Sequence, residues 1–265
     1  PDGFYFGDLS IAMHSELILR RNLTITGVAS VGLINNFGPL KLASDSVLPH
    51  VRTDIVRYLK ESKSAHITRL QANYFLNPYK SFFVKLSGGI LETMFGGIGS
   101  EVLWRPFDKN YAIGAELWRV QQREYEMLLS FRDYRTTTGF INLFYREPKS
   151  KITVAVKGGK FLAGDSGINL DISRRFKSGF TLGVFSSKTD ISQFEFGEGS
   201  FDKGFYFHLP IEVFYPNYSK GVTGFGLRPL TRDGAAILTH GLHLWGVTDQ
   251  SSLMNITRDW DDIYD

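Results

Sequence analysis

Apolar and polar residues alternate along much of this chain. In residues 167–176 (GINLDISRRF), Ile168, Leu170 and Ile172 alternate with Asn169, Asp171, Ser173 and Arg175. A period of two marks a strand with two unlike faces. The pattern recurs at 9–20, 23–34, 66–76, 82–94, 97–105, 111–120, 124–132, 138–147, 151–163 and 178–187. Each stretch is roughly the 9–11 residues that a tilted strand needs to cross a bilayer. Turn formers join them: Arg21-Asn22, Asn77-Pro78-Tyr79-Lys80, Asp108-Lys109-Asn110, Glu147-Pro148-Lys149 and Lys177-Ser178-Gly179. Short turns between consecutive strands predict an all-β antiparallel meander of about 10–14 strands, which must close or fold over at that size.

Two segments break the rhythm. Residues 38–63 read as a loop followed by a short amphipathic helix near 53–61, with Thr53-Asp54 as N-cap. From about 240 the alternation ends, and 240–265 reads as a non-strand, acidic C-terminal extension of a single domain spanning 1–265.

The alternation fits a soluble sandwich, whose apolar face packs on a second sheet, or a membrane barrel, whose apolar face meets lipid. Tyr74, Trp104, Tyr111 and Trp118 near strand ends, and charges such as Glu116 and Lys157 in mid-strand, favour the barrel. On that reading Ile113, Ala115 and Leu117 face outward, and Gly114 and Glu116 face inward.

Zero cysteines exclude a disulfide framework and thiolate metal sites. The 30 basic and 27 acidic residues are interspersed, giving a net charge of +3 and no basic tail for nucleic acid. No apolar run is long enough for a transmembrane helix. The opening PDGFYFGDLS has neither an initiating Met nor a basic n-region, and reads as part of something longer.

Several stretches carry more information than periodicity. LPHVRTDIVRYL (48–59), GGIGSEVLWRPFDKNYAIGAELWRVQQREYEML (96–128), GGKFLAGDSGINLDISRRFKSGFTLGVF (158–185), FGEGSFDKGFYFHLP (196–210) and GLRPLTRDGAAIL (226–238) resemble, in order, the YjbH/GfcD family. These are Gram-negative outer-membrane proteins encoded with exopolysaccharide and capsule genes. The resemblance implies a C-terminal transmembrane β-barrel portion of a longer chain, located in the cell outer membrane and serving polysaccharide export or assembly. It implies as partners outer-membrane lipid, extracellular polysaccharide, other secretion proteins and an upstream barrel of the same chain. It supplies no catalytic residues and no cofactor.

The remaining candidates come from residue chemistry. Glu195, Glu198 and Asp202, with Asp165 and Asp171, are acids of the kind glycosidases use, but no spacing defines a pair, so the chain reads as non-enzymatic. His240 and His243 in HGLH lack a third ligand at a recognisable spacing and read as loop residues rather than a metal site. The glycines of GGIGSEV and GFGLRPL lack the strand-turn-helix of a dinucleotide site and read as bends in a curved sheet. Two loops read as folded against a rim or lumen, Glu198 pairing with Lys203 near Asp202, and Arg228 or Arg232 with Asp233. Glu116, Arg119, Gln121, Arg123, Asp171 and Arg175 are the lumen-side candidates for glycan contact, with the arginines a basic track for anionic polymers. A soluble periplasmic carbohydrate-binding sandwich and a polymer-trimming enzyme remain as alternatives.

Overall fold

The computed structural model describes residues 7–40, 46–176, 178–192, 201–211, 222–228 and 232–249. Its strands are β1 (Asp8–Arg20), β2 (Leu23–Asn35), β3 (His66–Tyr79), β4 (Phe82–Ile90), β5 (Phe95–Trp104), β6 (Tyr111–Arg123), β7 (Phe131–Arg146), β8 (Ile152–Lys160), β9 (Ser166–Arg175), β10 (Thr181–Thr189), β11 (Asp202–Pro210) and β12 (Val222–Leu227). They form one 12-stranded antiparallel sheet in chain order. Two short helices accompany it, α1 (Ile55–Glu61) and α2 (Leu244–Asp249).

The meander and strand number agree with the sequence reading, whereas closure does not appear. Among the described residues no ladder joins β1 to β12, which stand as the two edges of the sheet. Both edges border one cavity of about 550 Å³, lined by His14 of β1 and by Arg228 just beyond β12, so the sheet curls around a shared interior.

Several boundaries differ from expectation. The expected strands 124–132 and 138–147 are replaced by a connection and the single long β7. There Arg123 pairs with Phe131 across a register shift, and Met127 takes a positive φ of 55° in the connection. β3 runs through Pro78, past a register shift between Leu76 and Tyr79 where the missing N–H is tolerated, and the turn falls on Lys80 and Ser81. Asp202 and Lys203, expected in a loop, begin β11, and Arg228 directly follows β12. Glu195 and Glu198 lie outside the described residues. The helix near 53–61 is present, but Asp54 gives α1 no side-chain cap; its carboxylate turns instead to His50, Tyr125 and Arg132.

In a meander of this order the connections alternate between two ends. One end has the turns at 21–22, 80–81, 105–110, 147–151 and 176–180; the other has 36–65 with α1, and 91–94, 124–130 and 161–165. A hydrophobic cap fills the α1 end. Val51, Tyr58, Leu91, Met94, Met127, Leu162, Ala236 and Leu238 pack there against Phe95, Trp118 and Val120 of the sheet. The buried Arg123 guanidinium knits that cap, donating to the carbonyls of Glu92, Thr93, Met127 and Leu128. The Met127 carbonyl also accepts from the Ile67 N–H, and the guanidinium supplies a donor to the others in an apolar setting.

Candidate functional site

The sheet's two faces are chemically inverted relative to a soluble domain. On β6, Ile113 (44% exposed) and Leu117 (59%) point out, while Ala112, Gly114, Glu116 and Trp118 are buried on the inner side. The same phase puts Ile98, Ile141, Leu143, Ile168, Leu170 and Val184 outside and Lys85, Glu101, Asn142 and Asn169 inside.

The inner face is partly filled by the chain itself. Residues 232–249 enter at the α1 end, where the Asp233 carboxylate accepts from the backbone N–H groups of Arg52 (2.7 Å) and Thr53 (3.0 Å) and from the Thr53 hydroxyl (2.7 Å). The segment then passes Asp165, which accepts from the Ala235 N–H at 2.8 Å, and Arg52, which donates to the Ile237 carbonyl at 2.7 Å. Arg52 is itself clamped on Glu92 at 2.7 and 3.1 Å. Gln71 donates to the His240 carbonyl at 3.0 Å, and the Leu244 N–H opens α2 on Glu101 at 2.9 Å. At the far end Asp249 accepts from Arg105 and Arg146 at 2.6–3.0 Å, and Trp245 stacks on Phe144 with ring centres 4.4 Å apart. This plug runs along the wall made by β3–β7.

His240 is the centre of the network. Its Nε2 lies 2.8 Å from Glu116 Oε2, its Nδ1 3.2 Å from Lys85 Nζ, and its ring stacks on Trp118 at 4.2 Å. The lysine ammonium can only donate, so Nδ1 must accept and Nε2 must carry the proton given to Glu116. Glu116 also accepts from Trp118 Nε1 and Asn142 Nδ2, each at 3.2 Å. Lys85 adds an ion pair with Glu101 at 3.0 Å and a bond to the Leu242 carbonyl. Burial pushes the His240 imidazole below its ordinary value, and the Lys85 charge acts the same way while Glu116 opposes it. His243, beside it at 4.0 Å, is lowered by burial and then by His240.

Glu101, His240 and His243 bring potential ligand atoms within 4.8 Å of one another. Lys85 Nζ already lies against two of these donors, Glu101 and His240 Nδ1, as the cation of the cluster. A metal ion there would have to displace it.

The lumen-side candidates do not form one track. Glu116 faces in, whereas Arg119 is exposed on the outer face in phase with Leu117. The register shift after Gln121 returns Arg123 to the inside, fully buried in the α1-end cap, while Gln121 donates to the Arg132 carbonyl at 2.7 Å. Asp171 is on the inner face of β9 and accepts from Tyr206 at 3.0 Å; Arg175 keeps its phase two rows on. Among the loop candidates, Arg228 pairs with the buried Asp202 at 3.2 Å, Lys203 lies over the Phe201 ring at 4.8 Å, and Asp233 binds the α1 entry. Arg232 borders Asp233 in sequence and is partly buried.

Sequence reasoning missed Lys85, Glu101, Arg105, Arg146 and Asp249. A signal existed for the first two, because mid-strand charges in phase with Ser87 and Leu103 must face inward, but nothing local pairs them with a segment about 150 residues away.

The chain matches the family described as "Exopolysaccharide biosynthesis protein YbjH" (YjbH) over residues 1–250. It is 36% identical over 261 residues to a protein of Escherichia coli (strain K12) called "Uncharacterized lipoprotein YjbH", covering 96% of this chain and 37% of that relative. The chain thus spans little more than a third of the relative's length. No solved structure matches it. The chain belongs to the YjbH exopolysaccharide biosynthesis family.

Proposed function

We propose that this chain is a non-enzymatic outer-membrane β-barrel unit that assists export or assembly of an extracellular polysaccharide. The observation that carries the reading is the inverted sheet, with apolar side chains exposed outside and paired charges inside. A soluble sandwich would bury that apolar face against a second sheet, whereas lipid covers it at no cost. Exposed Tyr79, Phe82 and Tyr111 and partly buried Trp104 cluster at the turn end, Trp104 and Tyr111 with ring centres 5.9 Å apart, as an interfacial aromatic girdle requires. The described strands are even in number, and on this reading β1 and β12 pair with each other in the membrane, which satisfies both edges. The word lipoprotein in the relative's name fits a cell-envelope location.

The plug makes the mechanism one of assisted passage rather than a free pore. Glu101 and Glu116 are engaged in holding 232–249, which assigns them to architecture and not to glycan cleavage. The full-length protein should fractionate with outer membranes, migrate differently on gels before and after boiling, and be required for normal polymer secretion. Recovery in the soluble periplasmic fraction, or undiminished secretion from a deletion strain, overturns the reading.

A further inference from the structure

The hydrogen bonds and ring stacks described above for the plug go to β3–β7 and to the connections beside them, and the inner face of β9–β12 has a different character. The register aligns inner-face residues in rows: Arg175, Thr181, His208 and Gly224; Ser173, Gly183, Tyr206 and Gly226; Asp171, Phe185 and Gly204; Asn169, Ser187 and Asp202. Three consecutive rows each carry a ring beside a glycine on an adjacent strand. A Cβ on Gly183 would collide with the Tyr206 ring, one on Gly204 with Phe185 and one on Gly224 with His208. The rings therefore lie down across the neighbouring strand and turn their faces towards the interior, an arrangement that only glycine beneath them permits.

Polar groups frame these faces. Tyr206 donates to Asp171 at 3.0 Å, Tyr206 and His208 have ring centres 5.2 Å apart, and the Arg228 guanidinium lies 5.2 Å over Phe185 while pairing with Asp202. His208 is exposed, and a cavity of about 500 Å³ borders Tyr206, His208, Gly224 and Gly226. Successive rows are about 7 Å apart along the strands, so the rings form a staircase along the strand direction.

We propose that this inner face of β9–β12 is a stacking track for a pyranose polymer. The apolar C–H faces of successive sugars rest on Tyr206 and His208, while their hydroxyls exchange hydrogen bonds with Asp171 and Ser173. The face carries Arg175 and Arg228 as well as Asp171 and Asp202, so ring stacking rather than net charge sets its preference for sugar C–H faces. The proposal rests on the polysaccharide reading above and names the surface that meets the polymer.

The test uses the purified full-length protein in detergent. The probe is size-fractionated oligosaccharide from partial hydrolysis of the producing strain's own secreted polymer, with binding read by saturation-transfer NMR and titration. Tyr206→Ala combined with His208→Ala should weaken binding about tenfold, as expected for loss of stacked rings worth about 1.4 kcal/mol together. Tyr206→Phe, which keeps the ring, should remain near wild type. Phe207→Ala, on the opposite face, should change nothing. Heat-dependent gel mobility verifies the fold, and if the double variant does not fold, Gly183→Val, which displaces the Tyr206 ring, takes its place. Equal binding by wild type and the ring variants, or no binding by wild type, overturns the track. Loss of secretion in the deletion strain would leave the polysaccharide reading standing in either case, whereas normal secretion would remove that reading instead.

Discussion

His240 Nε2 meets Glu116 Oε2 at 2.8 Å across 124 residues of sequence, joining the plug to the middle of β6. Removing His240 takes a neutral hydrogen-bond donor away from the buried Glu116 carboxylate, at a cost of about 1.5–3 kcal/mol. His240→Ala should therefore release 232–249 without unfolding the sheet, seen as faster amide exchange and new protease cleavage confined to that segment. Glu116→Gln keeps the shape and an acceptor oxygen, and should loosen the plug less. Unchanged exchange in His240→Ala would show that the hydrophobic cap alone retains the segment.

The plug should also loosen in mild acid. Burial holds the His240 imidazole below its ordinary value of 6.5, so the released segment takes up a proton more readily than the docked one. Docking is at full strength above about pH 6.5 and weakens as the pH falls towards the docked value. The groups facing His240 are Glu116, Lys85, Glu101 and His243, and protonating His240 sets a second positive charge 3.2 Å from Lys85. Protection of the 232–249 amides, taken relative to intrinsic exchange at each pH, should be lower at pH 5.5 than at pH 7.5 in wild type, with a smaller difference in His240→Gln. Equal protection at both pH values in wild type would refute the link.

At the other end of the plug, burial would raise the Asp249 carboxyl, but Arg146 and then Arg105 outweigh it and hold it below its ordinary 3.8. Its contribution is present above about pH 3.8 and is lost as the pH falls through the lower docked value. Asp249→Asn should free α2 at neutral pH and leave the His240 region protected. Exchange that rises across the whole of 232–249 would mean that the plug releases as one unit.

Arg174 and Arg175 lie on opposite faces at the end of β9. Arg174 is exposed in phase with Ile168, Leu170 and Ile172, its guanidinium 4.8 Å over the Phe176 ring near the turn, where a cation costs about 0–1 kcal/mol against lipid. Arg175 shares the inner phase of Asp171 and Ser173. Arg175→Glu should reduce polymer secretion at equal outer-membrane levels, and Arg174→Gln should not. Equal defects, or none for Arg175→Glu, would show that this row of the inner face does not contact polymer.

Side-chain period determined most of the sheet in advance. Because neighbouring residues on a strand point to opposite faces, Ile113, Leu117 and Glu116 could be assigned to their sides from the sequence alone, as could the antiparallel order from short turns. Periodicity failed where the backbone departs from the regular pleat. The register shift near Gln121 and Arg123 reverses the phase, so an even-looking run of Arg119, Gln121 and Arg123 is divided between the outer surface and the α1-end cap. The strand hidden in FDKGFYFHLP carries rings on both faces, which obscures its alternation. Only the tertiary structure decided what occupies the interior. The role of the first histidine in HGLH arises when the chain turns back inside the sheet and finds Lys85 of β4 and Glu116 and Trp118 of β6 converging on it. Contacts of that range depend on where the strands lie in space, and the alternation along any one of them has no access to it.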